Sequence, residues 1–280
     1  MPIPFIKIEG LGNDYVYVDK GGLARRTTSL ASLARAISNR RRGVGSDGLI
    51  VVERLGAGSA FMRVFNSDGS EAKFCGNGLR GMALFMRSAY KCKGKKFDIF
   101  TRWSDYNIEV IKAQTGTAVI RADLGSPSFD CRELGIAGDL VNCIGIRIKV
   151  RGAWRALYCV AMPNPHAVIL VDNFYFDWRA EGSLIEKNRL FKNGINVMFT
   201  KVDSNNRISV VPWERGSGAT LACGSGAAAA TVITGLLGLT RGDVRAVMPG
   251  GALVTRWDIE DNRIRQVGQS KIAFSGLYNP

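Results

Sequence analysis

Two cysteines, Cys75 and Cys223, each open a Cys-Gly-x-Gly quartet, CGNG and CGSG, and each quartet runs directly into an apolar stretch of helical length. A thiol at the start of a helix lies beside main-chain N–H groups without intrahelical acceptors, at the positive end of the helix dipole, and both favour the thiolate. A free thiol titrates near pH 8.5, and moving that toward neutrality takes about 2 kcal/mol, within reach of a dipole plus a nearby base. The flanking glycines let a small anion approach the main chain, where helix N-termini bind carboxylates well. Each quartet therefore supplies a candidate base and half of an anion cradle. If the two face one another, they hold an amino acid between two sulfurs, one on each side of its α-carbon. A thiolate then removes the α-proton from one face while a thiol returns a proton to the other, which inverts the centre. Fixed N–H groups at the substrate carboxylate stabilise the enolate charge that develops. Such a scheme uses no metal and no organic cofactor.

A single Cys-Gly pair is better explained as a packed helix start, since free cysteine is among the most buried residue types. Duplication is what separates the two explanations. FNSDGSEAKFCGNGLRGMA (Phe65 to Ala83) and WERGSGATLACGSGAAAAT (Trp213 to Thr231) fall into one register, and the apolar runs ending at Asn66 and Glu214 extend it upstream. A looser echo pairs GNDYVYVD (Gly12 to Asp19) with PNPHAVILVD (Pro163 to Asp172). A repeat of half the chain is too long for a solenoid and indicates two related lobes. Strand-like runs recur in both halves: Gly48 to Val52, Met62 to Phe65, Ile108 to Ile111 and Thr117 to Ala122, then Gly145 to Val150, His166 to Val171, Ile195 to Thr200 and Arg207 to Val211. Each half has one helix candidate that is apolar on nearly every face and so belongs inside a core. The expected fold is α+β, with two pseudo-symmetric lobes, each a curved, mostly antiparallel, barrel-like sheet around a central helix. The lobes are expected over residues 1–124, completed by 270–280, and over residues 125–269.

The 280 residues are 46% hydrophobic and 22% charged, a composition that folds rather than staying disordered. The six cysteines are widely spaced without a CxxC pair, and the chain has one histidine, which argues against zinc. No dinucleotide or pyridoxal-phosphate signature is present, so no cofactor is expected. The first residues, MPIPFIKIEG, read as a strand rather than a signal peptide, and the most apolar stretch, Ala227 to Leu239, is too short to span a bilayer. A soluble, cytoplasmic protein without membrane contact is the expectation. The formal charge of +14 would suit phosphates, but the basic residues are scattered, and the RRR and KCKGKK clusters lack interleaved aromatics that stack on bases. Nucleic acid is therefore not the expected partner.

Over nearly its whole length the chain resembles diaminopimelate epimerase, a cofactor-independent enzyme converting LL-diaminopimelate to the meso form for lysine and peptidoglycan synthesis. The resemblance is carried by GLGNDY, GVGSDG, NSDGSEAKFCGNGLRG, NPHAV, ERGSGATLACGSGA and PGG. It implies an active site in the cleft between two lobes, a small-molecule amino-acid substrate and a homodimer. It further implies that Cys75 and Cys223 are the acid/base thiols and that His166 and Glu214 tune their protonation. Substrate contacts would come from Asn13, Asn66, Asn164, Asn196, Glu214 and Arg215, with Gly76, Asn77, Gly224 and Ser225 offering main-chain N–H groups. Neutral amides hold an ammonium or a carboxylate without fixing a thiol's charge, and an arginine can grip a carboxylate bidentately. Departures from the family pattern are Ala219 for a glutamate, Pro163 for a glycine, the stretch TRWSDY, Gly268-Gln269-Ser270 for Gly-Pro-Ala, and Phe274 where several members carry a tyrosine associated with the dimer contact. A racemase of the same fold acting on another amino acid and a non-catalytic protein using its basic surface are the alternative readings.

Overall fold

The computed structural model describes residues 2–23, 29–138 and 142–280. Its contacts divide into two units, Met1–Asp123 with Val267–Pro280, and Leu124–Gln266. The first contains β1 (Ile3–Gly10), β2 (Asn13–Asp19), α1 (Leu30–Ser38), β3 (Gly48–Arg54), β4 (Ser59–Asn66), β5 (Glu71–Ala72), α2 (Gly76–Ala89), β6 (Lys96–Phe100), β7 (Asp105–Gln114) and β8 (Thr117–Asp123). The second contains β9 (Ile144–Val150), β10 (Ala153–Ala161), β11 (Pro165–Leu170), α3 (Trp178–Glu186), β12 (Asn196–Ser204), β13 (Arg207–Glu214), β14 (Gly218–Ala219), α4 (Gly224–Leu236), β15 (Asp243–Met248) and β16 (Gly251–Asp258). A last strand, β17 (Arg263–Tyr278), starts in the second unit and carries the chain back into the first.

The expected α+β repeat is present throughout. In the first unit the strands close into an eight-stranded barrel in the order β1, β2, β3, β4, β6, β7, β8 and β17, with β17 returning to β1. The links β2–β3 and β4–β6 are parallel. In the second unit β9 to β13, β15 and β16 are neighbours in turn, and the parallel links fall at the matching places, β11–β12 and β13–β15. Every strand-like run singled out above matches a strand to within one residue, Val171 falling just past β11 and Ile195 just before β12, and both apolar segments after the quartets are helices.

Burial explains the helix compositions. Nearly all of α2 from Gly76 to Met86, and all of α4 from Ser225 to Thr234, is buried. A helix enclosed by a sheet needs apolar side chains on most of its faces, and α4, apolar nearly all round, shows the weakest amphipathic stripe of the four helices. The second helix of each unit, α1 or α3, packs on the outside of the sheet and has one apolar face, Leu33, Ala34 and Ile37 in α1. Ser29 and Asp177 cap these two helices in the usual way, accepting from the N–H three residues on. Among the described residues no helix is long and apolar enough to cross a membrane.

The last glycine of each quartet has a packing duty besides the ligand approach expected from the sequence. A Cβ added at Gly78 would lie 2.6 Å from Ile50 Cδ1, and one at Gly226 would lie 2.3 Å from Met198 Sδ. Ile50 and Met198 are equivalent positions of β3 and β12, so the last glycine of each quartet lets the helix start press onto the same strand of its unit. At Gly76, by contrast, an added Cβ meets only ordinary contacts at 3.5 Å. One turn further on, Gly81 faces Tyr17, whose hydroxyl donates to the Gly78 carbonyl at 2.8 Å. An alanine Cβ there would come within 2.1 Å of that oxygen. A rigid phenol cannot step aside cheaply, so Gly81→Ala should destabilise the fold by about 1–3 kcal/mol while Gly76→Ala stays well below that; equal midpoints in urea denaturation would contradict the packing argument.

Candidate active site

Cys75 and Cys223 are the N-cap residues of α2 and α4. Both have extended backbones, φ −147° and −133°, and both sulfurs accept from the N–H of the quartet's last glycine, Gly78 N at 3.2 Å and Gly226 N at 3.4 Å. The thiol therefore takes the place that a serine or aspartate oxygen usually fills. The N–H groups of Gly76, Asn77, Gly224 and Ser225 belong to the two first turns and have no intrahelical acceptor by the geometry of the helix.

In the first unit, the Asn77 amide donates to the Asn13 carbonyl at 2.7 Å and to Asn13 Oδ1 at 3.0 Å, tying the first turn of α2 to the turn between β1 and β2. Asn13 in turn donates to Asp47 at 2.9 Å. Asn66 ends β4 opposite Gly48, and its amide donates to Ser70 Oγ at 3.0 Å rather than to another candidate residue. Arg80, which the sequence reading passed over, is buried at 1% exposure and reaches back along α2 to Asn77 Oδ1 at 3.4 Å.

In the second unit two sets of candidates meet. Glu214 ends β13 as Asn66 ends β4, its carboxylate accepts from Thr220 Oγ1 at 2.6 Å, and it is hydrogen-bonded to the Cys223 thiol. Ser225 Oγ lies 3.6 Å from the same sulfur. His166 and Asn196 are register partners across the parallel pair β11–β12. The imidazole Nε2 lies 3.0 Å from Asn164 Oδ1, and Asn196 receives the Arg215 N–H at 3.0 Å while donating to the Pro165 carbonyl at 2.8 Å. The Arg215 guanidinium is held by one nitrogen, Nη1, to the carbonyls of Asn193 and Gly194. Thr220 and Arg80 both lie inside the quoted motifs; what marks them is contact for the first and burial for the second, which spacing does not carry.

Electrostatics correct one expectation. Cys223 was expected to favour thiolate, but burial pushes its thiol well above the ordinary value and the Glu214 carboxylate adds to the shift, outweighing Ser225 and the Gly226 N–H. A helix terminus contributes a fraction of a charge, whereas removing water from a thiolate and placing a carboxylate beside it both oppose ionisation. Cys223 thus holds its proton at neutral pH. His166 is fully buried, and burial, then the positive charge of Arg215, lowers its pKa to about 3. The imidazole is neutral, its Nε2 hydrogen directed at Asn164, and its Nδ1 lone pair is buried without a hydrogen-bond partner among the described residues. A neutral nitrogen in that state can accept from a thiol. The remaining cysteines, Cys92, Cys131, Cys143 and Cys159, are buried, and burial pushes Cys143 up to about 12. Among the described residues no cluster could hold a metal ion.

The family profile described as diaminopimelate epimerase matches residues 5–129 and 158–273. The chain belongs to the diaminopimelate epimerase family. Among its curated relatives, the diaminopimelate epimerase of Carboxydothermus hydrogenoformans is 36% identical over 278 residues, 98% of both chains. That of Desulfitobacterium hafniense is 36% identical over 276 residues, 97% of this chain and 96% of the relative. Solved structures share the fold at lower identity. A PhzF-family phenazine biosynthesis protein from Bacillus anthracis superposes with TM-score 0.72 at 15% identity over 100% of both chains. A hydroxyproline epimerase from Agrobacterium vitis gives 0.64 at 10% identity over 99% of this chain and 90% of its own.

The single histidine of this diaminopimelate epimerase family member makes its burial measurable. An unfolded histidine titrates near 6.5, so between there and about pH 3 the unfolded chain binds one proton more than the folded one. The sign follows: this contribution is complete above pH 6.5 and is lost as the pH falls, by up to about 1.4 kcal/mol per pH unit. Unfolding free energies at pH 7.5, 6.5 and 5.5 should decline for the native protein and lose most of that slope in His166→Gln. Parallel slopes would show that His166 is charged in the folded state.

Proposed function

We propose that this protein interconverts LL- and meso-diaminopimelate by proton transfer at the α-carbon, with Cys75 and Cys223 as the two acid/base groups. The observation that carries the reading is the pair of sulfurs capping equivalent helices, each beside first-turn N–H groups suited to a carboxylate. One sulfur accepts the α-proton while the other delivers its own to the opposite face, and no proton is gained or lost overall. The reading requires both sulfurs to reach one α-carbon.

Other candidates take roles consistent with their chemistry. Glu214, hydrogen-bonded to Cys223, governs where that thiol's proton resides, and neutral His166 offers an acceptor for the partner thiol. Gly76, Asn77, Gly224 and Ser225 present N–H groups to the carboxylate at the reacting carbon, where enolate charge develops. Asn13, Asn66, Asn164, Asn196 and Arg215 contact the rest of the substrate. Arg215 retains donors beyond its Nη1 contacts for a distal carboxylate. The same reading assigns a cytoplasmic homodimer, for which Phe274 and Leu277, 46% and 64% exposed on β17, supply apolar surface.

Deuterium exchange tests this directly. The reduced protein in D₂O should wash out the α-proton signal of LL-diaminopimelate, and Cys75→Ala or Cys223→Ala should each slow exchange by at least about 10²–10⁴-fold, the usual contribution of one acid/base group. Cys92→Ala should leave the rate nearly unchanged. Exchange confined to some other amino acid would replace diaminopimelate as the substrate, an active Cys223→Ala protein would defeat the two-thiol assignment, and no exchange with any amino acid would leave a binding protein.

A further inference from the structure

Each central helix is preceded by a short hairpin, and in both units the outer helix reaches it. In the second unit β13 turns between Glu214 and Gly218 and returns as β14, with Trp213 opposite Ala219; in the first, Phe65 stands opposite Glu71 in the same register. Gly216 in one turn is the equivalent of Asp68 in the other. Both are held by the outer helix, with opposite polarity. Arg35 of α1 donates to the Asp68 carbonyl at 3.3 Å, whereas Glu186, the last residue of α3, accepts from the Gly216 N–H at 2.9 Å.

The Glu186 carboxylate makes a second contact: its other oxygen accepts from the Trp213 indole N–H at 2.7 Å. Trp213 and Gly216 flank Glu214 and Arg215, so one carboxylate grips the chain on both sides of two candidate site residues. An added Cβ on Gly182 of α3 would lie 2.8 Å from Trp213 Cγ, so helix and indole are in direct contact, and the far edge of the ring rests against Gly218. Between the two fixed points, Glu214 accepts from Thr220 Oγ1 at 2.6 Å and the Arg215 N–H donates to Asn196 at 3.0 Å. A carboxylate at the C-terminal end of a helix is disfavoured by the helix dipole. The equivalent position at the end of α1 is Ser38, which carries no charge. Local helix chemistry therefore does not account for Glu186, and the two N–H groups it accepts from do.

We propose that Glu186 is a positioning residue for the reaction: by holding Trp213 and Gly216 it sets where the Glu214 carboxylate meets Cys223 and how the Arg215 guanidinium is presented to the substrate. The proposal rests on the epimerase reading and adds to it a residue outside the candidate set, on a helix packed outside the sheet. Glu186 acts only through the residues it grips. A carboxylate is needed because two donors must be met at once. Glutamine of the same shape has one oxygen, and its amide nitrogen would face one of the two N–H groups.

Exchange of the α-proton of LL-diaminopimelate in D₂O, resolved into kcat and KM for folded variants, tests this. Glu186→Gln should lower kcat/KM by about 10–100-fold, the scale of a lost productive geometry, and raise KM by about fivefold or more as Arg215 is released. A substitution that merely lost folded protein would lower the apparent kcat and leave KM native. Glu186→Asp, which keeps both acceptors on a shorter arm, should recover part of the loss. Trp213→Phe removes one donor and should have a smaller effect, and Glu186→Gln should cost less on that background than alone, because the two residues share one contact. Native kinetics in a folded Glu186→Gln protein overturn the proposal; should that variant not fold, a native KM in Trp213→Phe overturns it instead. Exchange confined to a different amino acid replaces the substrate of the epimerase reading, and the same KM comparison with that amino acid decides the proposal. A native protein that exchanges no amino acid overturns the reading and the proposal together, whereas an active native protein with indifferent variants overturns the proposal alone.

Discussion

The sulfur-to-glycine hydrogen bond at the start of each central helix is the contact on which the remaining structure turns. A helix buried inside a sheet must satisfy its first N–H groups without water, and here the acceptor for one of them is a cysteine sulfur. The bond requires glycine at the donor position, because the same backbone lies against Ile50 in one unit and Met198 in the other. The sulfur's place is thereby set by close packing on β3 and β12, and the two N–H groups ahead of the donor remain aimed out of the helix end. The capping sulfur and the outward first-turn N–H groups arise from a single local arrangement, made twice.

Duplication preserved that arrangement while its surroundings diverged. Tyr15 and His166 occupy matching places on the parallel pairs β2–β3 and β11–β12, opposite Gly48 and Asn196, which are themselves equivalent. Asn66 and Glu214 end equivalent strands, and Arg80 and Ala228 sit at equivalent points of the enclosed helices. A proton transfer across a carbon needs an acceptor and a donor at the same moment, so two identical thiol environments would serve it poorly. One of these differences, the carboxylate of Glu214 against the amide of Asn66, places a charge beside a sulfur, whereas the two parallel links of each unit are retained.

Much of this was legible in the chain. The repeat located β4, α2 and their counterparts β13 and α4 because strand and helix patterns, turn glycines and the cysteines shift together by one constant interval. The outer helices α1 and α3 obey the same interval, and a search for Ser29 and Asp177 as caps would have found them, yet neither contains a chemically conspicuous residue. The quartet glycines were read as room for a ligand; the last of each is also required by packing against a side chain 28 residues upstream, on a strand whose proximity no local pattern announces. Likewise the thiol of Cys223 could be placed at a helix terminus from sequence, but not the extent to which burial overrides that terminus.

Residue types and their spacing determined that there are two thiols, that each precedes a core helix, and that the halves share one fold, because periodicity and capping are local properties that a one-dimensional pattern records. Tertiary structure decided the charge states. Dehydration of Cys223, the neutrality of His166 and the burial of Arg80 depend on which segments exclude water and on what faces what across strands, sums over neighbours remote along the chain that no spacing rule contains.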